Sequence, residues 1–318
     1  MQSTGWKSIC GRKDKIRNLF AEGDGTITEE SQFSSSLPGF QTALDNTSIS
    51  SFKDCPQKYK YAIVDGWRQK GPAAALTFGL AYHDCIELFE KTKSRGVSTG
   101  VALQFAIRRA FALSEGWELF DTARTRATLL RSIVWYAEEY AKDSLTLHMF
   151  PTDGGNQQPK PALEVSFRFE LPFRSSTGET LLYCGHIDKL ASHNGGLYAV
   201  ERKTTKSALS AQFFQRYFFS SQVTGYVYAG KVVFHEPVVG AIIEAASFGV
   251  NYVRFGRAIV HRVNDHLEEW AEDLQWWVGQ MERAAQANYW PHNTEACGKY
   301  GGCQFRNVCS KSPATREL

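Results

Sequence analysis

Residues 180–206, TLLYCGHIDKLASHNGGLYAVERKTTK, contain two apolar runs on either side of a turn sequence. The turn sequence is Asn194-Gly195-Gly196, and Asn and Gly tolerate the positive φ angles that tight β-turns require. The pattern predicts an antiparallel hairpin whose second strand ends in an acid and a lysine spaced two residues apart.

The register of this hairpin decides which charged residues meet. With Asn194 and Gly195 as the two turn residues, Asp188 lies opposite Glu201, whereas a turn shifted by one residue places Asp188 opposite Lys203. Alternate residues of a strand share a face, so Glu201 and Lys203 lie together in both cases. Either register therefore groups Asp188, Glu201 and Lys203 on one face of the hairpin.

Two carboxylates held this close repel each other at neutral pH unless a positive charge lies between them. A hard divalent cation is the best fit, because Mg²⁺ prefers a few carboxylates together with water and substrate oxygens. Lys203 is then available to orient an attacking water or to stabilise developing phosphate charge. The alternative is a surface hairpin with solvated charges and a cross-strand ion pair.

The composition is that of a soluble globular protein, with 318 residues of which 43% are apolar and 22% charged. No apolar run reaches the roughly 18–20 residues of a membrane helix, and the N-terminal residues lack the apolar core of a secretory signal. We therefore expect an intracellular, cytoplasmic protein that is not bound to a membrane. Residues 1–45 are rich in Ser, Gly and Thr and are expected to form a flexible N-terminal arm.

Two predicted helices contribute further candidate residues. The helix predicted for residues 72–91 places His83 at the edge of an apolar face, where a packed or surface histidine is the commoner role and a third metal ligand is the alternative. A later helix places Gln222 and Tyr226 one turn apart, where they either border the core or hold a phosphate or base beside a metal site. The aromatic residues around Arg216 suit stacking against unpaired bases, although aromatics at helical spacing usually pack in the core.

Four cysteines form a second candidate site. Cys297, Cys303 and Cys309 follow one another with five residues between each pair, and Cys55 lies far upstream. Such closely spaced cysteines suit thiolate ligation of an iron–sulfur cluster or of zinc, with Cys55 as the fourth ligand. A metal-cluster clasp of this kind would join the N- and C-terminal parts of the fold.

Taken together, these motifs resemble the RecB-type branch of the PD-(D/E)XK nuclease superfamily. The resemblance is closest to its iron–sulfur members, which are CRISPR-associated exonucleases, AddB-type nuclease domains and phage relatives. The family's terminal cysteines are commonly spaced C-x2-C-x5-C, whereas the first gap in this sequence is five residues. The similar motifs, in the family's order, are SISSFKDCPQKYKY with Cys55, FGLAYHDCIELFE with His83, GHIDKL with Asp188, VERKTTK with Glu201 and Lys203, and QVTGY with Gln222 and Tyr226.

The resemblance implies an α/β fold, in which a PD-(D/E)XK core has a central mixed sheet flanked by helices. The RecB-like nuclease domain would span residues 46–318, with a helical insertion at about 72–142 forming one wall over the active site. The cysteine cluster at 297–309 would hold a structural [4Fe-4S] cluster, or zinc in its place.

The same resemblance implies roles for the candidate residues and a function for the chain. The function is that of a metal-dependent exonuclease acting on single-stranded DNA ends in recombination, repair or phage and mobile-element DNA processing, with a helicase or recombinase as a conceivable partner. The alternatives are a non-catalytic DNA-binding or assembly subunit on the nuclease scaffold, a structure-specific endonuclease, and a zinc-clasped interaction module. The implied roles are Mg²⁺ or Mn²⁺ ligation by His83, Asp188 and Glu201, catalysis by Lys203, and DNA positioning by Gln222 and Tyr226.

Overall fold

A computed structural model describes residues 32–71, 73–117, 121–151 and 159–316. The chain divides into two compact units, and two strands, Leu163–Arg174 and Thr180–His193, each contribute residues to both. The first unit comprises the described parts of residues 1–70, 166–185 and 268–318, and the second comprises those of 71–165 and 186–267.

The described residues form both strands and helices, each class numbered in chain order. The strands are β1 (Ala43–Leu44), β2 (Thr146–Leu147), β3 (Met149–Phe150), β4 (Lys160–Pro161), β5 (Leu163–Arg174), β6 (Thr180–His193), β7 (Gly196–Thr205), β8 (Val238–Phe248) and β9 (Val253–His261). The α-helices are α1 (Asn46–Asp54), α2 (Pro56–Tyr59), α3 (Ala74–Lys93), α4 (Thr99–Leu113), α5 (Arg126–Glu139), α6 (Ala211–Gln215), α7 (Ser221–Val232), α8 (Asn264–Gln286) and α9 (Arg306–Cys309).

The second unit contains a mixed sheet built on the predicted hairpin. Strands β6 and β7 pair antiparallel from Lys189 opposite Val200 to His193 opposite Gly196, so Asn194 and Gly195 form a two-residue turn. Both turn residues have positive φ, at 46° and 80°. The first of the two predicted registers is therefore confirmed. Strand β7 pairs parallel with β8, and β8 pairs antiparallel with β9.

Three helices of the second unit pack on this sheet. Helices α3, α4 and α5 share a core with the end of β8, in which Phe78 and Tyr82 contact Phe248 edge-on. Helix α3 begins at Ala74, two residues after the predicted start at Pro72, and Pro72 itself lies outside the described residues. The close approach of α3 to β7 depends on Gly79, because a Cβ at this position would lie 3.1 Å from the Thr204 hydroxyl.

The first unit includes part of the sequence that we expected to be an arm. Strand β1 pairs parallel with β6 at Leu182 and Tyr183, and the side chains of Phe40 and Leu44 are buried. Residues 32–45 are thus packed, which differs from the flexible arm expected for 1–45, because their few apolar side chains supply core contacts that the Ser-rich composition conceals. Residues 1–31 of that arm lie outside the described residues. Within the described part of the chain, every helix is too short or too polar to span a bilayer.

Candidate active site

The neighbouring strands β6 and β7 bring the two predicted carboxylates and the lysine together, next to the pair formed by Lys189 and Val200. Lys203 on β7 forms an ion pair with Glu201 on the same face, as the two-residue spacing predicts. The backbone N–H of Arg202 donates a hydrogen bond to Asp188 Oδ2 at 2.6 Å. Glu201 is 5% exposed, so its carboxylate lies in a buried setting where its charge requires compensation.

Helix α3 positions His83 against this group. His83 lies one turn after Gly79, the residue that lets α3 approach β7 closely. Its Nδ1 lies 3.5 Å from Asp188 Oδ1. This contact places the ring beside one of the predicted ligands, and the role of His83 as a third ligand stays a prediction.

Helix α7 supplies the last two candidates. Lys203 Nζ donates to Gln222 Oε1 at 3.3 Å, and Gln222 Nε2 donates to the hydroxyl of Tyr226 at 2.8 Å. Tyr226 is buried, and its hydroxyl accepts the hydrogen bond that orients the Gln222 amide with its oxygen toward the lysine. The structure thus joins all six predicted residues of this site in two connected groups, one around Asp188 and one around Lys203.

The two carboxyl groups have opposite protonation behaviour. Burial alone would raise the pKa of Asp188, but His83 and Arg202 outweigh it and hold that pKa at about 2. Burial raises the pKa of Glu201, and although Lys203 opposes the effect, the charge of Asp188 raises it further. A buried acid whose pKa is raised by a neighbouring carboxylate is stabilised in its ionised form by added positive charge.

The donor chemistry of this site fits a hard divalent cation, because two carboxylates and an imidazole are ordinary ligands for Mg²⁺ or Mn²⁺. In this structure these side chains contact each other and the lysine, since Asp188 faces His83 and Glu201 is paired with Lys203. Among residues 32–71, 73–117, 121–151 and 159–316, no three His, Cys, Asp or Glu side chains are grouped so that they could hold a metal ion.

Sequence reasoning missed a buried ion network that begins one residue from the site. The guanidinium of Arg202 is 1% exposed and is paired with Glu90 of α3 and with Glu244 of β8. Lys189 Nζ lies 2.6 Å from Glu90 Oε1, and Arg257 of β9 is paired with Glu244. The sequence carries one signal for this network, because Glu244 is the only charged residue in the apolar run VVGAIIEAASF.

The four predicted cysteines line one small cavity of the first unit. Cys55 is buried between α1 and α2, and its Sγ accepts a hydrogen bond from the backbone N–H of Asn293 at 3.4 Å. Burial and the neighbouring Cys303, and to a smaller extent Cys55 and Cys297, raise the pKa of Cys309. None of these four thiols is joined in a disulfide.

Lys58 and Arg306 contribute cationic side chains to the lining of this cysteine cavity. His292 also lines the cavity, but burial and the charge of Arg316 lower the pKa of its ring. Thiolate ligands carry negative charge, so nearby cations favour the form that binds a metal. The juxtaposition of residues so distant in sequence agrees with the predicted meeting of Cys55 with the C-terminal cysteines.

Carboxylates and a lysine on two neighbouring strands, packed against a helix that supplies a histidine, are the arrangement that the nuclease resemblance implies. The family model of the PD-(D/E)XK nuclease superfamily matches residues 46–310. The chain belongs to this superfamily.

Two solved structures are distantly similar to the chain. One is a candidate exonuclease from Eubacterium rectale, with 15% sequence identity, a TM-score of 0.48, and coverage of 86% of this chain and 91% of that chain. The other is the protein SSO0001, with 12% identity, a TM-score of 0.36, and coverage of 85% and 86%. No curated protein matches this sequence significantly.

Proposed function

We propose that the chain is a Mg²⁺- or Mn²⁺-dependent deoxyribonuclease that degrades single-stranded DNA from an end. The observation that supports this proposal is the placement of Asp188 against His83 and of Glu201 against Lys203, on the neighbouring strands β6 and β7, in a member of the nuclease superfamily.

In the proposed reaction, His83, Asp188 and Glu201 would hold the cation. When bound, Mg²⁺ or Mn²⁺ would supply positive charge for the scissile phosphate and for the activation of a water molecule. Lys203, whose ammonium group contacts Glu201 and Gln222, would orient the attacking water and stabilise the developing negative charge. Gln222, held by Tyr226, positions the strand.

We expect the protein to digest linear single-stranded DNA in the presence of Mg²⁺ or Mn²⁺ and to leave circular single-stranded DNA intact. Asp188→Ala should abolish digestion, because it removes a ligand and leaves His83 without its partner. The measurement uses substrates labelled at the 5′ or the 3′ end, which also report polarity. A matched control is Asp84→Ala on the exposed side of α3, which should digest DNA as the wild type does.

Two results would contradict the proposal. Cleavage of the circular substrate would indicate a structure-specific or single-strand endonuclease. Binding of DNA without any cleavage by the wild type would indicate the non-catalytic subunit.

We also propose that Cys55, Cys297, Cys303 and Cys309 hold a structural [4Fe-4S] cluster, with zinc as the alternative. The support is their shared cavity and its basic lining. Bound metal would contribute to the stability of the first unit, because a site assembled from distant residues exists only in the folded chain.

Cys303→Ser should lose the bound metal and lower the unfolding temperature of the anaerobically purified protein. Metal analysis together with visible absorbance distinguishes iron from zinc. Cys85→Ala, which alters a buried thiol in the core of the second unit, is the control and should retain the metal. Wild-type protein that contains neither iron nor zinc would refute the proposed cluster.

A further inference from the structure

The aromatic segment between α6 and α7 divides into a buried part and an exposed part. Phe213 is 6% exposed and packs in the core, whereas Phe218 is 44% exposed and Phe219 is 94% exposed. Such exposure is unusual for a phenylalanine, since a fully exposed ring forgoes about 1.5–3 kcal/mol of burial free energy. The interpretation that the aromatic residues of this segment pack in the core is therefore correct for Phe213 and wrong for Phe219.

The exposed pair lies next to the candidate active site. Phe219 precedes Gln222 by three residues, so their Cα atoms are at most about 11 Å apart. Gln222 faces Lys203. At about 3.4 Å per stacked nucleotide, the distance from Phe219 to Gln222 corresponds to no more than about three nucleotides.

The backbone around the pair is held in place. Phe218 N–H donates to the carbonyl of Gln215 at 3.0 Å, and Ser220 N–H donates to the carbonyl of Tyr217 at 3.1 Å. These turns connect α6 directly to α7, the helix that carries Gln222. The rings of Phe218 and Phe219 therefore lie on a hydrogen-bonded turn that leads directly into the helix carrying Gln222.

The charge of the segment favours a nucleic acid over an apolar protein surface. No Asp or Glu occurs between Glu201 and Glu236 in the sequence. Of the cations in this interval, Lys203 is paired with Glu201 and Lys206 with Asp121. Arg216 is exposed, with its guanidinium carbon 4.0 Å from the centre of the Phe213 ring and its Nε donating to the Phe213 carbonyl at 2.9 Å. Exposed aromatic rings next to an exposed arginine are a combination that binds single strands by stacking and phosphate contacts.

We propose that Phe219, supported by Phe218, is a stacking platform for an unpaired base of the DNA strand, within about three nucleotides of the scissile phosphate. This inference rests on the proposed function, and it specifies that the strand enters with its bases unpaired. Stacking on an aromatic ring tolerates any base, because every base has a π-face. The platform would hold the strand in register without selecting its sequence.

The test is equilibrium binding of a labelled thymidine oligonucleotide in EDTA, with one base removed at a time to give a set of abasic positions. In the wild type, one position should weaken binding about 5-fold or more. Phe219→Ala should weaken binding of the intact oligonucleotide by a similar factor, and removal of the base at that position should not weaken its binding further. Phe219→Trp should restore both the affinity for the intact oligonucleotide and the effect of the abasic position. Tyr289→Ala, an exposed aromatic residue of the first unit, is the control and should behave as the wild type.

An unchanged abasic profile in Phe219→Ala would overturn the inference. If that unchanged profile is accompanied by a change in sedimentation coefficient, the rings belong to an interface with a second copy of the chain. Cleavage with Mg²⁺ is measured separately on the same oligonucleotide. A wild type that binds with the expected profile but does not cleave refutes the proposed nuclease while supporting the platform, and a wild type that binds no single strand refutes both.

Discussion

Lys203→Met is expected to lower the cleavage rate at saturating DNA by at least about 100-fold, the effect of removing one charge-stabilising donor from an active site. The ammonium of Lys203 is paired with Glu201 and donates to Gln222, so the substitution removes the only basic side chain that the structure places between these two residues in the described part of the site. The loss should fall on kcat, because the lysine is proposed to stabilise charge that develops only in the transition state.

The measurement is single-turnover digestion of a labelled single strand with Mg²⁺, alongside equilibrium binding. Lys231→Met is the matched control, because Lys231 is an exposed lysine on α7 that bonds Asn264 and should be dispensable. A Lys203→Met protein that cleaves within a few-fold of the wild type would show that Lys203 is a structural partner of Glu201 and would remove it from the catalytic group.

Arg202→Met is expected to destabilise the protein by about 3–5 kcal/mol, the usual effect of breaking a buried ion pair by removing one partner. The guanidinium of Arg202 is 1% exposed and contacts two carboxylates, and the substitution leaves Glu90 and Glu244 with less compensating charge. Chemical unfolding monitored by circular dichroism gives the free energy of unfolding. Arg109→Met, which breaks an exposed pair with Asp84, should change it by less than about 1 kcal/mol.

On acidification, the Arg202→Met variant should unfold at a higher pH than the wild type. Burial alone would raise the pKa of Glu244, but Lys189, Arg202 and Arg257 outweigh it and hold that pKa at about 2, below its ordinary value of 4.5. A depressed pKa contributes stability that is fully present above about pH 4.5 and is lost as the pH falls toward 2. Without Arg202 the pKa of Glu244 rises, so this loss begins nearer to neutrality. An acid unfolding midpoint that does not move would mean that Lys189 and Arg257 suffice.

The hairpin and its carboxylates could be predicted from the sequence because the relevant contacts are local. The Asn194-Gly195 turn determines the register, and the period of two along β7 places Glu201 and Lys203 on one face. His83 and Gln222 lie on other elements, and their helical spacing alone left a packed residue as the commoner interpretation. Only the resemblance to the nuclease family indicated that His83 and Gln222 lie beside the carboxylates and the lysine.

The ion network could not be predicted in the same way. Its members extend from Glu90 to Arg257, and a buried charge pair has no periodic pattern in sequence. Only the isolated acid in β8 indicates that a cation must reach the strand. Phe219 was hidden for a related reason, because aromatics at helical spacing resemble core residues until the turn that exposes them is known.

The cysteine cavity has a consequence for the newly made polypeptide. Cys55 is synthesised 242 residues before Cys297, so at about 5–20 residues per second its future partners follow after roughly 10–50 s. Contacts between such distant residues also form late in folding, since the intervening chain must first be ordered. The active-site hairpin can form once residue 205 has been made, but the four thiols can meet only after Cys309 has been made. Until then Cys55 lacks the three residues with which it lines the cavity.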